Sequence, residues 1–173
     1  MKIKEVMVEN SLSYCSPETN LAKATKMMKD SNLGALPVVD KDQKVIGIIT
    51  DRDICLSLAN KGKKTISELS VKEIVPQAKV HTIKIEDTVT DALREMRKNR
   101  IGRLPVTNND GKLKGMISIN TLLSHALNKK NELGNVTAKD ENLAKTIKAL
   151  FDRNNFKATK KESEKDILEL MRE

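Results

Sequence analysis

Between Lys4 and Ile117 the chain repeats itself at a constant spacing of 68 residues without a gap. Lys4-Glu5 matches Lys72-Glu73, Glu18 matches Glu86, Ala24 matches Ala92 and Met28 matches Met96. The register continues through Gly34 and Gly102, Leu36-Pro37-Val38 and Leu104-Pro105-Val106, Asp42 and Asp110, Lys44 and Lys112, Gly47 and Gly115, and Ile49 and Ile117. A repeat held this long fixes the architecture before any local propensity is weighed. One copy of about fifty residues buries too little surface to be stable alone, so two copies should pack sheet to sheet around a shared core.

Each copy has the same local order. A β-prone run, "SLSYC" or "KVHTI", leads into "SPETN" or "KIEDT", whose hydroxyl, amide and acidic residues suit a helix start. Leu21, Ala24, Met27 and Met28 then recur at the spacing of one helical face, as do Val89, Ala92, Leu93 and Met96. Gly34 and Gly102 follow as helix stops. A hairpin comes next: "LPVVD" or "LPVTN", a turn through "KDQ" or "NDG", then "KVIGIIT" or "KLKGMIS". Pro37 and Pro105 are expected to open their strands, where a missing N–H is tolerated. A second helix begins at "DRDICLSLA" or "INTLLSHAL". The unit is β-α-β-β-α, and the pair is an α+β body with a pseudo-twofold axis.

The expected boundaries are residues 1–60 for the first repeat, 61–71 for a surface linker, 72–127 for the second repeat and 128–173 for a helical extension. Within the extension Leu143, Ile147, Leu150 and Phe151 share one helical face, with Thr137 or Asp140 as caps, and Ile167, Leu168 and Met171 share another. Helices this short need a surface to pack on, either the repeats, a second subunit or a partner.

Charge and composition narrow the functional classes. Of the formal net charge of +8, the residues before Ser124 hold 21 Lys and Arg against 15 Asp and Glu, so the excess belongs to the repeats and not to a basic tail. It suits an anionic small ligand as well as nucleic acid. Tyr14, Phe151 and Phe156 are the only aromatics, which leaves almost no platform for stacking bases. Nucleic acid is therefore the lesser reading. Two cysteines, Cys15 and Cys55, make no disulfide framework, and His81 and His125 lie apart from any acidic or cysteine cluster, so no metal site is expected. No apolar run nears the roughly 20 residues of a membrane helix, and "MKIKEVMVEN" lacks a secretory h-region. A cytoplasmic protein is expected. No phosphate-binding glycine loop and no paired nucleophile and base stand out, so the chain is expected not to be an enzyme.

The stretch "LGALPVVDKDQKVIGIITDRD" and its copy "IGRLPVTNNDGKLKGMISINT" carry a resemblance. They resemble a tandem pair of cystathionine-beta-synthase (CBS) domains, the regulatory Bateman module, over Ile3 to about Leu127. The resemblance implies a cleft on each side of a disc, an adenosine-containing ligand (AMP, ADP, ATP or S-adenosylmethionine) as partner and no prosthetic cofactor. It also implies association into a homodimer and signalling to a regulated protein. Thr50 and Asp53 match the family's ribose-binding motif, and Arg52 between them either reaches a phosphate from the first helical turn or points to solvent. Taken alone, Thr50-x-x-Asp53 reads first as a capping box, each side chain serving a backbone N–H of the first helical turn. An ionised carboxylate also offers two acceptors to the vicinal hydroxyls of a ribose. In the second copy Ser118 keeps the hydroxyl but Thr121 replaces the carboxylate, so that site is expected to be weaker, differently selective or empty. Arg103 matches a phosphate-side basic position whose first-copy counterpart is Ala35. Tyr14-Cys15 and Thr82-Ile83 match the segments that hold the adenine, although core packing explains Ile83 as well and Cys15 reads most simply as a small semi-buried residue; Gly34 and Gly102 would let backbone approach the ligand or only end helices. The competing readings are a basic CBS protein that associates with nucleic acid and a purely structural dimerisation pair.

Overall fold

The computed structural model describes residues 1–7, 12–60, 65–75, 80–125 and 143–148. The first repeat runs α1 (Leu21–Asp30), β1 (Ala35–Val39), β2 (Val45–Thr50) and α2 (Asp51–Asn60). The second runs β3 (Ile83–Lys84), α3 (Val89–Asn99), β4 (Arg103–Thr107) and β5 (Leu113–Ser118), followed by α4 over 119–125. A further helix, α5, covers 143–148. Thr137, Asp140, Leu150, Phe151, Ile167, Leu168 and Met171, singled out in the extension, lie outside the described residues.

The helices form where polar caps meet apolar stripes. The Asn20 side chain accepts from Lys23 N at 2.8 Å, and α1 buries Leu21, Ala24 and Met28. Thr88 and Asp91 cap α3 reciprocally, and the bond from the Thr88 hydroxyl holds the Asp91 carboxyl below its ordinary range. The left-handed residues that end α1 and α3 are Asn32 and Arg100, both at positive φ, so Gly34 and Gly102 are not the stops expected of them.

The two hairpins share one register. Leu36 faces Ile49, Pro37 faces Ile48 and Val38 faces Gly47; in the second repeat Leu104 faces Ile117, Pro105 faces Met116 and Val106 faces Gly115. Even the register shift recurs, after Val38 and after Val106. Both prolines sit mid-strand, not at the strand start. Pro37 is tolerated there because its carbonyl accepts from Cys15 N, so its backbone polar groups point away from β2 and no ladder bond is lost. The run "SLSYC" contributes only a one-residue bridge, Cys15 to Val38, whereas "KVHTI" contributes the true strand β3, parallel to β4.

A pseudo-twofold axis passes between the hairpin turns. Val45 N donates to Gly111 O and Leu113 N to Gln43 O, and each bond is the other's image under the 68-residue shift. Gln43 and Gly111 hold equivalent left-handed positions, at φ of 64° and 80°. Glycine takes that conformation without a Cβ clash, so Gln43→Gly should raise stability by about 0.5 kcal/mol in denaturant unfolding.

The buried residues form two clusters, not the single shared core expected, and each cluster is completed by the other repeat's leading segment. Ile3 and Val6 pack with Ala92, Met96, Leu104 and Ile117 of the second repeat, while Leu69 and Val71 pack with Leu21, Leu36 and Ile49 of the first. Matching bonds fix both exchanges: Ile3 N to Asp87 O and Val71 N to Thr19 O, Val89 N to Met1 O and Leu21 N to Leu69 O. Lys2 adds an exposed ion pair with Glu86 at 2.8 Å. Leu69 and Val71, expected on a surface linker, are thus fully buried. The helix α5 adds Leu143 and Ile147 to the second cluster, and the buried Thr146 hydroxyl donates to Leu93 O at 3.4 Å.

Candidate functional site

The strand-to-helix junctions carry the motif residues. At the first, the Thr50 hydroxyl donates to Asp53 Oδ2 at 2.7 Å, Thr50 N donates to the same oxygen at 2.9 Å, and Asp53 N donates back to Thr50 Oγ1 at 3.2 Å. This is a closed capping box, in which Oδ2 is committed to Thr50 and Oδ1 is left for another donor. At the second junction the hydroxyls of Ser118 and Thr121 lie 2.9 Å apart and Thr121 N donates to Ser118 Oγ at 3.1 Å. The geometry survives the loss of the carboxylate.

A cleft of about 640 Å³ opens between the repeats at the second junction. The second repeat supplies Arg103, Met116, Ser118, Asn120 and Thr121; the first supplies Leu12, Ser13, Leu33, Gly34, Ala35 and the end of α1 at Asp30, Ser31 and Asn32. Strand pairing sets Arg103 opposite Ser118, as it sets Ala35 opposite Thr50 in the other hairpin. The Arg103 side chain is exposed and makes no hydrogen bond or ion pair among the described residues. A Cβ on Gly34 would stand 3.1 Å from Asp51 Oδ2 and 3.2 Å from Arg103 Nη2, so glycine is what lets those groups close over the backbone. Gly102 meets only Ile119 Cγ2, at 3.8 Å.

Of the expected site residues, this cleft gathers Gly34, Ala35, Arg103, Ser118 and Thr121. Thr50, Arg52 and Asp53 lie outside its lining. Tyr14 is exposed and Cys15 is buried by its bridge to Val38, so Ser13 and Leu12 are the residues of that segment that reach the cleft. Ile83 is part of the second cluster, and Thr82 lines a separate hollow of about 430 Å³ beside His81, whose Nδ1 lies 2.8 Å from Glu95 Oε1. Asn120, Ser13 and Asp30 were not legible as site residues; Asn120 stands where the first repeat has Arg52, which is the signal that could have found it. Among the described residues no group of three potential metal ligands occurs and no helix is long and apolar enough to cross a membrane.

The two thiols differ. Burial pushes the Cys15 thiol up from 9.0 to about 11, whereas Cys55 is exposed. Iodoacetamide at pH 8 should therefore label Cys55 and spare Cys15 until the chain unfolds, as peptide mass mapping would read. Because the folded value is the higher one, this thiol's contribution to stability is complete below pH 9 and is lost as pH rises toward 11.

Two hairpin-and-helix units of one register, each completed by the other's leading segment, define a tandem pair of small α+β repeats. The CBS domain family model matches residues 3–60 and again 71–128, and the chain belongs to that family as a tandem pair. An uncharacterised 17.7 kDa protein of Acidianus ambivalens is 41% identical over 107 residues, which are 61% of this chain and 62% of that protein. The protein YlbB of Bacillus subtilis is 33% identical over 125 residues, covering 70% of this chain and 79% of its own length. Inosine-5′-monophosphate dehydrogenase of Thermoplasma acidophilum is 31% identical over 124 residues, which are 72% of this chain but only 24% of the enzyme. Among solved structures, the CBS domain pair of protein MJ0100 in complex with 5′-methylthioadenosine and S-adenosyl-L-methionine superposes with a TM-score of 0.65 at 23% identity, covering 75% of this chain and 98% of that one. CBSX2 in complex with AMP gives 0.63 at 22% identity, with the same coverages. These likenesses establish the α+β fold.

Proposed function

We propose that this chain is a non-catalytic regulatory module that binds an adenosine-containing ligand in the clefts between its repeats. The observation that carries the reading is the inter-repeat cleft itself: about 640 Å³, within the range of small-molecule sites, with apolar walls at Leu33, Ala35 and Met116 and convergent polar groups at Arg103, Ser118, Asn120 and Thr121. Solved CBS pairs of the same fold hold AMP, or 5′-methylthioadenosine and S-adenosylmethionine, which supports the ligand class. Applied to this lining, the 68-residue shift gives a counterpart cleft around Gly102, Thr50, Arg52 and Asp53. There Asp53 Oδ1 serves as acceptor for a ribose hydroxyl. Ligand held by both repeats biases their relative orientation only through differential affinity for two arrangements, and that bias passes to a second copy or a regulated partner.

Thermal shift and calorimetry against AMP, ADP, ATP, S-adenosylmethionine and NAD test the reading. At least one adenosine ligand should bind, and Asp53→Ala should remove or weaken one class of site by roughly tenfold, the value of a charge-assisted hydrogen bond. Absence of binding by all five would leave a structural pair. Binding unchanged by Asp53→Ala would reject the ribose assignment.

A further inference from the structure

The C-terminal extension already covers one apolar helix face. Leu143 and Ile147 of α5 join the second cluster, where Leu93 of α3 is buried and its carbonyl accepts from the Thr146 hydroxyl. The first repeat has Thr25 at the position of Leu93, and its hydroxyl turns back to Leu21 O at 2.8 Å. The extension therefore seats where a repeat offers a leucine. A second apolar face stays open among the described residues. Along the last turns of α2, Ser57 is buried while Cys55, Leu56, Leu58 and Ala59 are all exposed. In α4 of the second repeat, Ser124 stands at the Leu56 position, so this face belongs to the first repeat alone. The helix α1 packs beside α2 and carries Lys23, Lys26 and Lys29, all exposed and without an ion pair among the described residues. An occupant of the α2 face should accordingly be apolar at its centre and acidic at its edge.

The far end of the extension has that pattern. Ile167, Leu168 and Met171 fall at the spacing of one helical face, and residues 162–173 hold five carboxylates against two cations. Residues 149–161 join this segment to α5, and thirteen residues reach about 40 Å when extended. That is enough to cross a body of this size, whose radius of gyration is about 14 Å. A second copy seated symmetrically on the same face would instead bring two lysine rows to one interface, where like charges oppose it. We propose that residues 162–173 dock on the α2 face of their own chain, with Ile167, Leu168 and Met171 against Leu56 and Leu58 and the carboxylates toward the α1 lysines. The helix they cover is the one whose first turn carries the Thr50–Asp53 box. The docking holds whether or not the clefts bind a ligand.

Cys55 lies within the face and reports its cover. The test compares the rate of iodoacetamide alkylation at Cys55 in the full chain and in the double variant Leu168→Ser, Met171→Ser, whose changes leave both buried clusters intact. The variant should label roughly three- to tenfold faster than the parent, and about 0.5 M NaCl should narrow the gap by weakening the charged rim. Cys55 should still label ahead of buried Cys15 in both proteins. Carbodiimide coupling of a mixture of light and isotope-labelled chains should join carboxylates of residues 162–173 to Lys23, Lys26 or Lys29 within single chains, as mass spectrometry would read. Equal Cys55 rates in parent and variant would overturn the docking. Links that join light to labelled chains, or protection that disappears on roughly tenfold dilution, would assign the cover to a second copy and overturn it too.

Discussion

Leu69→Ala should lower the unfolding free energy by about 3 kcal/mol, an effect that nothing in its place between two repeats would suggest. Leu69 is fully buried in the first repeat's cluster beside Leu21, Leu36 and Ile49, and its carbonyl accepts from Leu21 N at 2.9 Å. Truncation removes the transfer free energy of the buried carbons and leaves a cavity among residues that are themselves fixed by hairpin and helix. Ile3→Ala should cost a similar amount through the second repeat's cluster, because Ile3 N donates to Asp87 O as Val71 N does to Thr19 O. Urea unfolding with parent and variants reads both. Losses under about 1 kcal/mol would mean that the leading segments merely lie on the repeats and that each repeat closes its own core.

Arg103→Ala should weaken a carboxylate- or phosphate-bearing adenosine ligand by ten- to a hundredfold, the value of charge-assisted hydrogen bonds in a partly enclosed site. Alanine is a sound probe here because the first repeat carries Ala35 at the equivalent register position, opposite Thr50 as Arg103 is opposite Ser118. The strand tolerates either residue, so the melting temperature should hardly move. Arg103→Lys should recover part of the affinity, since a point charge remains but the two-pronged geometry is lost. An affinity unchanged in Arg103→Ala would show that no anionic group reaches this end of the cleft.

The parts of the structure that depend on short-range pattern were legible in the sequence. Helix faces at Leu21, Ala24 and Met28 and at Ala92, Leu93 and Met96 follow from spacing, and the hairpins follow from strand-prone runs on either side of the turns at Asp42 and Asp110. What could not be read depended on which strand or segment meets which. Pro37 and Pro105 lie mid-strand because the far edge of β1 and β4 needs no ladder bond to the hairpin partner at that residue. Leu69 and Val71 read as linker because their partners, Thr19, Leu21, Leu36 and Ile49, are remote in sequence and belong to the preceding repeat. The same limit governed the site. Arg103 is expected from the family resemblance and Ser118 and Thr121 from the match to the first repeat, but Ser13 and Asp30 come from the opposite repeat, and no local signal marks a residue that becomes lining only when two repeats pack. The motif that looked better preserved, Thr50 with Asp53, lies outside the described cleft, and one of its two carboxylate oxygens is already engaged in capping α2.

A structure of the full chain crystallised with its tightest-binding adenosine ligand is the most direct measurement. The account predicts ligand density between the repeats, with the tail beside Arg103 and Gly34 and the ribose near Ser118, Asn120 and Thr121, or in the counterpart cleft at Asp53. Density on the outer faces of the helices, or clefts left empty at saturating ligand, would contradict it.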